Sequence, residues 1–441
     1  MEYFYKRPHN SGKAVRDMAR RAAAWMLLIL LVLPLCLLTA CGEDPYAELP
    51  PEARGRTVIT VGKQFDYGHF QQELNKFNEA QDEIWVVAKT YMDPNTETNV
   101  KAAIQRMYSE LAAGNRPDLY WMVSFDAAAL RKAGYIADWY PLMEADPDFH
   151  MEDYQTNIWE LLETDGCLYQ LCTCFTMYGL ETPPELYPGQ AGWTLEEFAD
   201  WMDANNLTLG RERLLQLMLW YGTQFEYIDL ETKTCQFETP AFYELLAYLQ
   251  TLPEDKSWDQ DLRPVSITDP DMTESTHRLD GYYPRAVGLP SQNRTGLGVR
   301  LQDSYGLASD TKHRDACWTF VKWLLSYERQ NEIGDSVPIR RDAWESHLYR
   351  AGLDGDNEES LFYRSWNPWD KDKPYPAMPE EEIEYLRETV ANASYVALSD
   401  YDDIAAVVEE EVLAYLAGDK TAEDCAHIIQ SRVSTMLAEQ E

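Results

Sequence analysis

Val58-Ile59-Thr60-Val61 follows a proline-rich stretch and precedes a helical pattern. All four side chains branch at Cβ and suit a pleated, buried backbone, so the run reads as a strand. Downstream, Phe70, Leu74 and Phe77 recur at helical spacing, and Ile84 to Tyr91 returns to strand. Val100, Ile104, Met107 and Leu111 then align on a second helix, Leu119-Tyr120-Trp121-Met122 forms a third strand, and a short helix ends at Gly134. Strand and helix alternating in this way predict a mostly parallel sheet covered on both faces. The first turn has no glycine fingerprint, which disfavours a nucleotide-binding version of such a fold.

Further along, Gly166-Cys167-Leu168-Tyr169-Gln170-Leu171 leads extended into Met177-Tyr178-Gly179, and we read it as a strand crossing between lobes. Thr194 with Glu197 forms a capping box that starts a helix through Phe198, Trp201 and Met202. Thr239-Pro240 starts another through Phe242, Leu245, Leu246 and Leu249, ended by Pro253. Residues 254–281 are polar with few apolar anchors. Tyr282 to Leu289 and Tyr305-Gly306-Leu307 read as strands, Ala316 to Leu324 as an amphipathic helix, and the chain from Ile383 onward as helical.

Ahead of all this, Lys6, Arg7, Lys13, Arg16, Arg20 and Arg21 precede an uncharged apolar run from Ala22 to Leu38. Basic, then apolar, then small residues is the order of a secretory signal. The run is only about 17 residues and carries Pro34, which argues against a membrane-spanning helix. Leu38-Thr39-Ala40-Cys41 resembles the bacterial lipobox, which implies lipid on Cys41 and a mature chain that starts there. An ordinary signal peptide with a chance cysteine is the alternative. Residues 41–56, with Pro45, Pro50 and Pro51, read as a tether.

Loss of residues 1–40 removes six basic and two acidic residues, leaving 32 and 73, a net charge near −41. Such a surface repels phosphate backbones and excludes nucleic acid as a partner. About 400 remaining residues exceed one hydrophobic core, so two domains are expected. Six cysteines remain. Cys317 and Cys425 fall on apolar helix faces, while Cys167, Cys172 and Cys174 lack the partners of a zinc site, so no metal is expected. A disulfide to Cys235 stays open.

Several pieces resemble the bacterial extracellular solute-binding proteins of family 1, the lipoprotein receptors of ABC importers for sugars and related solutes. They are Phe77-Asn78, Leu111-Ala112-Ala113-Gly114 with Pro117-Asp118, Asp165-Gly166 with Leu168-Tyr169, Gly192-Trp193-Thr194-Leu195-Glu196-Glu197-Phe198, Ala316-Cys317-Trp318-Thr319-Phe320-Val321 with Gln330, Val337-Pro338-Ile339, and Gly418 to Asp424 with Gln430-Ser431-Arg432. The chain departs from the family pattern at Cys167, after Tyr169, and between Pro253 and Gly288. The resemblance implies a two-lobed α/β fold of the type II periplasmic-binding-protein kind, each lobe a mostly parallel sheet flanked by helices. Lobe 1 would hold 57–170 and 304–345, and lobe 2 would hold 171–303 and 346–441. It also implies a monomer that binds a small solute without cofactor or turnover and hands it to ABC importer permease subunits at the outer face of the membrane.

In such folds ligand sits where carboxyl ends of strands converge. That rule selects Phe65, Asp66 and Tyr67 after the first strand, Tyr91 and Asp93 after the second, and Trp121, Ser124 and Phe125 after the third. The second lobe adds Tyr178, Tyr221 and Trp366. Aromatic faces stack on sugar rings and carboxylates accept from hydroxyls, which favours a carbohydrate. The negative charge instead suits a cationic solute such as a polyamine or basic peptide. Trp193 and Trp318 are assigned to packing. No GxSxG, HExxH or P-loop occurs, and the six mature histidines are scattered. An exported glycosidase needs only two carboxylates, but no pair stands out. Asp354 to Glu358 lacks the frame of a calcium loop.

Overall fold

A computed structural model of the chain describes residues 49–64, 68–92, 100–220, 226–229, 232–254, 262–267, 282–361, 374–396 and 402–439. The signal segment and Cys41 lie outside them. Residues 1–56 form one unit and Thr57–Glu441 a second. Among the described residues no helix is long and apolar enough to cross a membrane.

The strands are β1 (Thr57–Lys63), β2 (Ile84–Thr90), β3 (Leu119–Trp121), β4 (Ile136–Ala137), β5 (Leu171–Thr182), β6 (Ile228–Asp229), β7 (Thr234–Cys235), β8 (Arg263–Ile267), β9 (Arg285–Val287), β10 (Gly298–Ala308), β11 (Val337–Pro338) and β12 (Tyr395–Val396). β6 and β7 pair with each other, and the other ten share one sheet whose spine runs β11-β5-β10-β3-β1-β2. β1 lies parallel to both β2 and β3, as the strand-helix alternation requires. The long strands β5 and β10 lie antiparallel to each other, and β10 lies antiparallel to β3. The sheet is therefore parallel at one end and antiparallel where β5 and β10 carry it onward.

Residues picked out by the family resemblance hold these strands in register. Asn78 donates to Val86 O at 3.0 Å and accepts from Val86 N at 2.8 Å, fastening its helix (Gly68–Ala80) to β2. Asp118 accepts from Thr60 N at 2.9 Å, from Thr60 Oγ1 at 3.0 Å and from Thr311 Oγ1 at 2.6 Å. Asp165 (φ 54°) and Gly166 (φ 75°) form a two-residue turn closed by Thr164 and Cys167, the left-handed geometry that Asp-Gly accepts at least cost. The capping box at Thr194 is present, and Thr239 caps Pro240–Thr251.

Buried apolar side chains fall into a large cluster around β1, β3, β5 and β10, a second around the helices of residues 195–251 and 402–439, and a smaller third around Tyr120 and Phe125. β5 passes from the first cluster at Leu171, Phe175 and Met177 to the second at Leu180. The fold is thus two-lobed, with β5 running through both lobes. Leu348, Ile383, Leu386 and Val390 pack in the first cluster. The apolar faces of Arg341–Ala351 and Glu380–Ala391 close over that cluster, so only the last two helices belong with the second. Arg263–Ile267, within the polar stretch given no element by the sequence, is a strand against β5, with Pro264 opposite Leu180. An edge strand tolerates a proline, and its missing neighbour explains why it carries no apolar signature.

Candidate functional site

Because β1, β2 and β3 are parallel, their carboxyl ends open on one edge. β1 ends there at Lys63, whose side chain is only 1% exposed and lies 4.8 Å over the ring of Phe70. β3 ends at Trp121, whose ring centroid is 4.9 Å from that of Phe70. β10 runs past this edge, with Tyr305 opposite Trp121, and its register against β5 slips on either side of Asp303. The slip is a β-bulge, which redirects a side chain out of the regular alternation.

Asp303 is the hub of the edge. It accepts from the Trp121 indole Nε1, from Thr173 Oγ1 at 3.1 Å and from the Tyr305 hydroxyl. Burial raises its pKa to about 6, against the lowering effect of those three donors. Thr173 lies on β5, Trp121 on β3 and Tyr305 on β10, so one carboxylate joins three strands. Gln302 donates to Thr176 Oγ1 at 2.9 Å and Gln170 to Ser304 Oγ at 3.0 Å, continuing a polar seam between β5 and β10.

Among the expected site residues, Trp121 sits at this edge but is only 6% exposed, so it forms floor and offers little free face. Tyr91 packs away from the edge. Its hydroxyl donates to Asn115 O at 3.4 Å, its ring meets Phe125 edge-on at 6.2 Å, and burial pushes its pKa up. Gly62 makes room for it, since a Cβ there would lie 3.2 Å from the Tyr91 ring and 2.7 Å from Pro117. Phe125 is buried in the same small cluster. Ser124 closes the 3₁₀ turn Met122–Ser124. Tyr178 is half-buried on β5 between Gly298 and Ser266. It lies five residues beyond Thr173, about 17 Å along the strand, so it is not brought to Trp121. Phe65, Asp66, Tyr67, Asp93, Tyr221 and Trp366 lie outside the described residues. Sequence reasoning missed Asp303, Lys63 and Thr173; the one available signal was the polar run Gln302-Asp303-Ser304 inside the strand Gly298–Ala308.

All six described cysteines are free, so the disulfide left open for Cys235 is not formed. Cys235 instead contacts Ser434 Oγ at 3.2 Å. No group of three His, Cys, Asp or Glu side chains among the described residues is arranged to hold a metal. A separate apolar cavity, lined by Leu215, Met218, Phe237, Phe242, Leu246 and Val412 among others, lies within the second cluster and away from this edge.

The chain resembles several proteins of known structure. It is similar to an extracellular solute-binding protein family 1 structure from Alicyclobacillus acidocaldarius, with a TM-score of 0.54 and 14% identity over 87% of this chain and 98% of that one. It has the two-lobed solute-binding fold. The sugar-binding protein MalE from Xanthomonas citri gives a TM-score of 0.56 at 14% identity, again over 87% and 98%. A cyclic alpha-maltosyl-1,6-maltose binding protein from Arthrobacter globiformis gives 0.52 at 14%, over 87% and 100%. No protein-family model matches the chain, and no curated protein matches it by sequence.

Proposed function

We propose that this protein is an extracytoplasmic receptor, tethered by lipid on Cys41, that captures a carbohydrate between its lobes and delivers it intact to the permease of an ABC importer. The observation that carries the reading is the built carboxyl edge, where a buried tryptophan at the end of β3 meets a carboxylate on the bulge of β10. Hydrogen-bonding carboxylates beside aromatic rings suit a ligand rich in hydroxyls and apolar ring faces. The sugar ligands named for the Xanthomonas and Arthrobacter structures support the class. Phe65, Asp66, Tyr67, Asp93, Tyr221 and Trp366 are the proposed ligand contacts, with Trp121 as floor. We assign residues 57–177 and 297–396 to one lobe, and 180–291 and 402–439 to the other.

A thermal-shift screen of mono- and oligosaccharides against polyamines and basic peptides tests the class, since ligand at 100 times its Kd stabilises by about 2.7 kcal/mol. A sugar hit that Trp121→Ala weakens by about tenfold or more (about 1.4 kcal/mol) supports the reading. Hits among cations alone would replace it. Release of products from an oligosaccharide overnight would favour a glycosidase. The cationic alternative is favoured by the net charge, yet Lys63 stands at the same edge. Salt separates them: attraction of a cation weakens as screening shortens its reach to about 8 Å, while sugar affinity hardly changes.

A further inference from the structure

We propose that Asp303 is a positioning residue, whose ionised carboxylate ties Trp121 at the floor of the ligand edge to the crossing strands β5 and β10, so that the floor responds to the protonation of one side chain. The inference rests on reading this edge as the ligand site. Trp121 and Asp303 are 182 residues apart in sequence, and Thr173 is 130 from Asp303, so the junction exists only when β3, β5 and β10 are assembled. The bulge at Asp303 aims the carboxylate at two donors from neighbouring strands instead of continuing the alternation.

Among the described residues, the groups facing Asp303 are few. β5 presents Cys172 and Cys174, both with thiols held neutral by burial. β10 presents Tyr305, whose hydroxyl is likewise held neutral by burial. The helix Gly68–Ala80 presents Glu73, whose charge disfavours ionisation of Asp303 and which is paired with Lys76 and Arg329. β1 presents Lys63 through the Phe70 ring packed on Trp121. Among the described residues at this junction, Asp303 is the group that changes charge in mildly acidic solution. Once protonated, one of its oxygens becomes a donor and accepts more weakly, and the hydrogen bonds from Trp121, Thr173 and Tyr305 lose their charge assistance. The Trp121 indole then loses its charged partner.

The test uses the full chain labelled with ¹⁵N-tryptophan, ligand-free, with the Trp121 indole N–H resonance identified by its loss in Trp121→Phe. That resonance is expected to shift between about pH 4.5 and about pH 8 with a midpoint near 6. The shift should vanish in Asp303→Asn. In Thr173→Val the midpoint should rise, because a donor that favours the carboxylate is gone. A resonance that stays fixed in the wild type, or that still titrates in Asp303→Asn, overturns the proposal. A titration abolished in Asp303→Asn but unchanged in Thr173→Val also overturns it, because β5 would then not be tied in. No ligand enters these measurements, so a failed sugar screen leaves them standing and undermines only the reading of the edge as a ligand site.

Discussion

Asp303 carries a stability consequence separate from its positioning role. Its folded pKa is raised above the ordinary carboxylate value of 3.8 to about 6, so the folded chain holds this proton more tightly than the unfolded chain does. That contribution is fully present below about pH 4 and is lost as pH rises through about 6. Asp303→Asn is therefore expected to raise Tm at pH 7.5, with the gap closing toward pH 4 in calorimetric scans. Each kcal/mol would move Tm by about 2 °C or somewhat less in a chain of this size. Asp118 accepts three hydrogen bonds that lock β1 to its neighbours. Asp118→Ala strands those donors and should cost about 2–4 kcal/mol in urea unfolding. The two aspartates also show what a sequence discloses. Asp118 was legible because it follows Pro117 in a spaced motif, whereas Asp303 is one of many acids and gains meaning only from a bulge and from partners more than a hundred residues away.

Among the elements, β9 and the helix Glu380–Ala391 show how the two clusters are joined. Arg285 pairs with Glu382 through both guanidinium nitrogens, stacks 4.3 Å over Tyr385, and lies beside Ala286, whose N–H donates to the Tyr385 hydroxyl at 2.6 Å. Removing one member of a buried pair leaves the other charge unmatched, so Glu382→Leu should cost about 3 kcal/mol or more. The double variant Arg285→Met/Glu382→Leu should recover most of that loss, and a double-mutant cycle by urea titration measures the difference. Helices with caps and apolar stripes were readable in advance, as Thr194 and Thr239 illustrate. Arg263–Ile267 was not, because an edge strand takes its identity from the strand it joins. The polar residues of the family-like motifs, Asn78, Asp118, Gln330 and Gln430, bind backbone and stitch elements together. That is why such motifs disclosed the fold so well and the ligand so poorly.

For the whole molecule, two lobes joined by β5 and β10 imply closure about those strands when solute binds. Small-angle scattering with a hit from the sugar screen should show a smaller radius of gyration than the free protein. The same two strands also shape how the chain reaches its native form. β3 pairs with β1 on one side and with β10 on the other, so its second side stays open until Gly298–Ala308 has been made and the entire intervening lobe has been passed over. Long-range pairing of this kind is slow, because a large loop must close before any contact rewards it. A newly made chain would thus remain threadable well into synthesis, which is the state a protein needs if it is to be carried across a membrane before it folds.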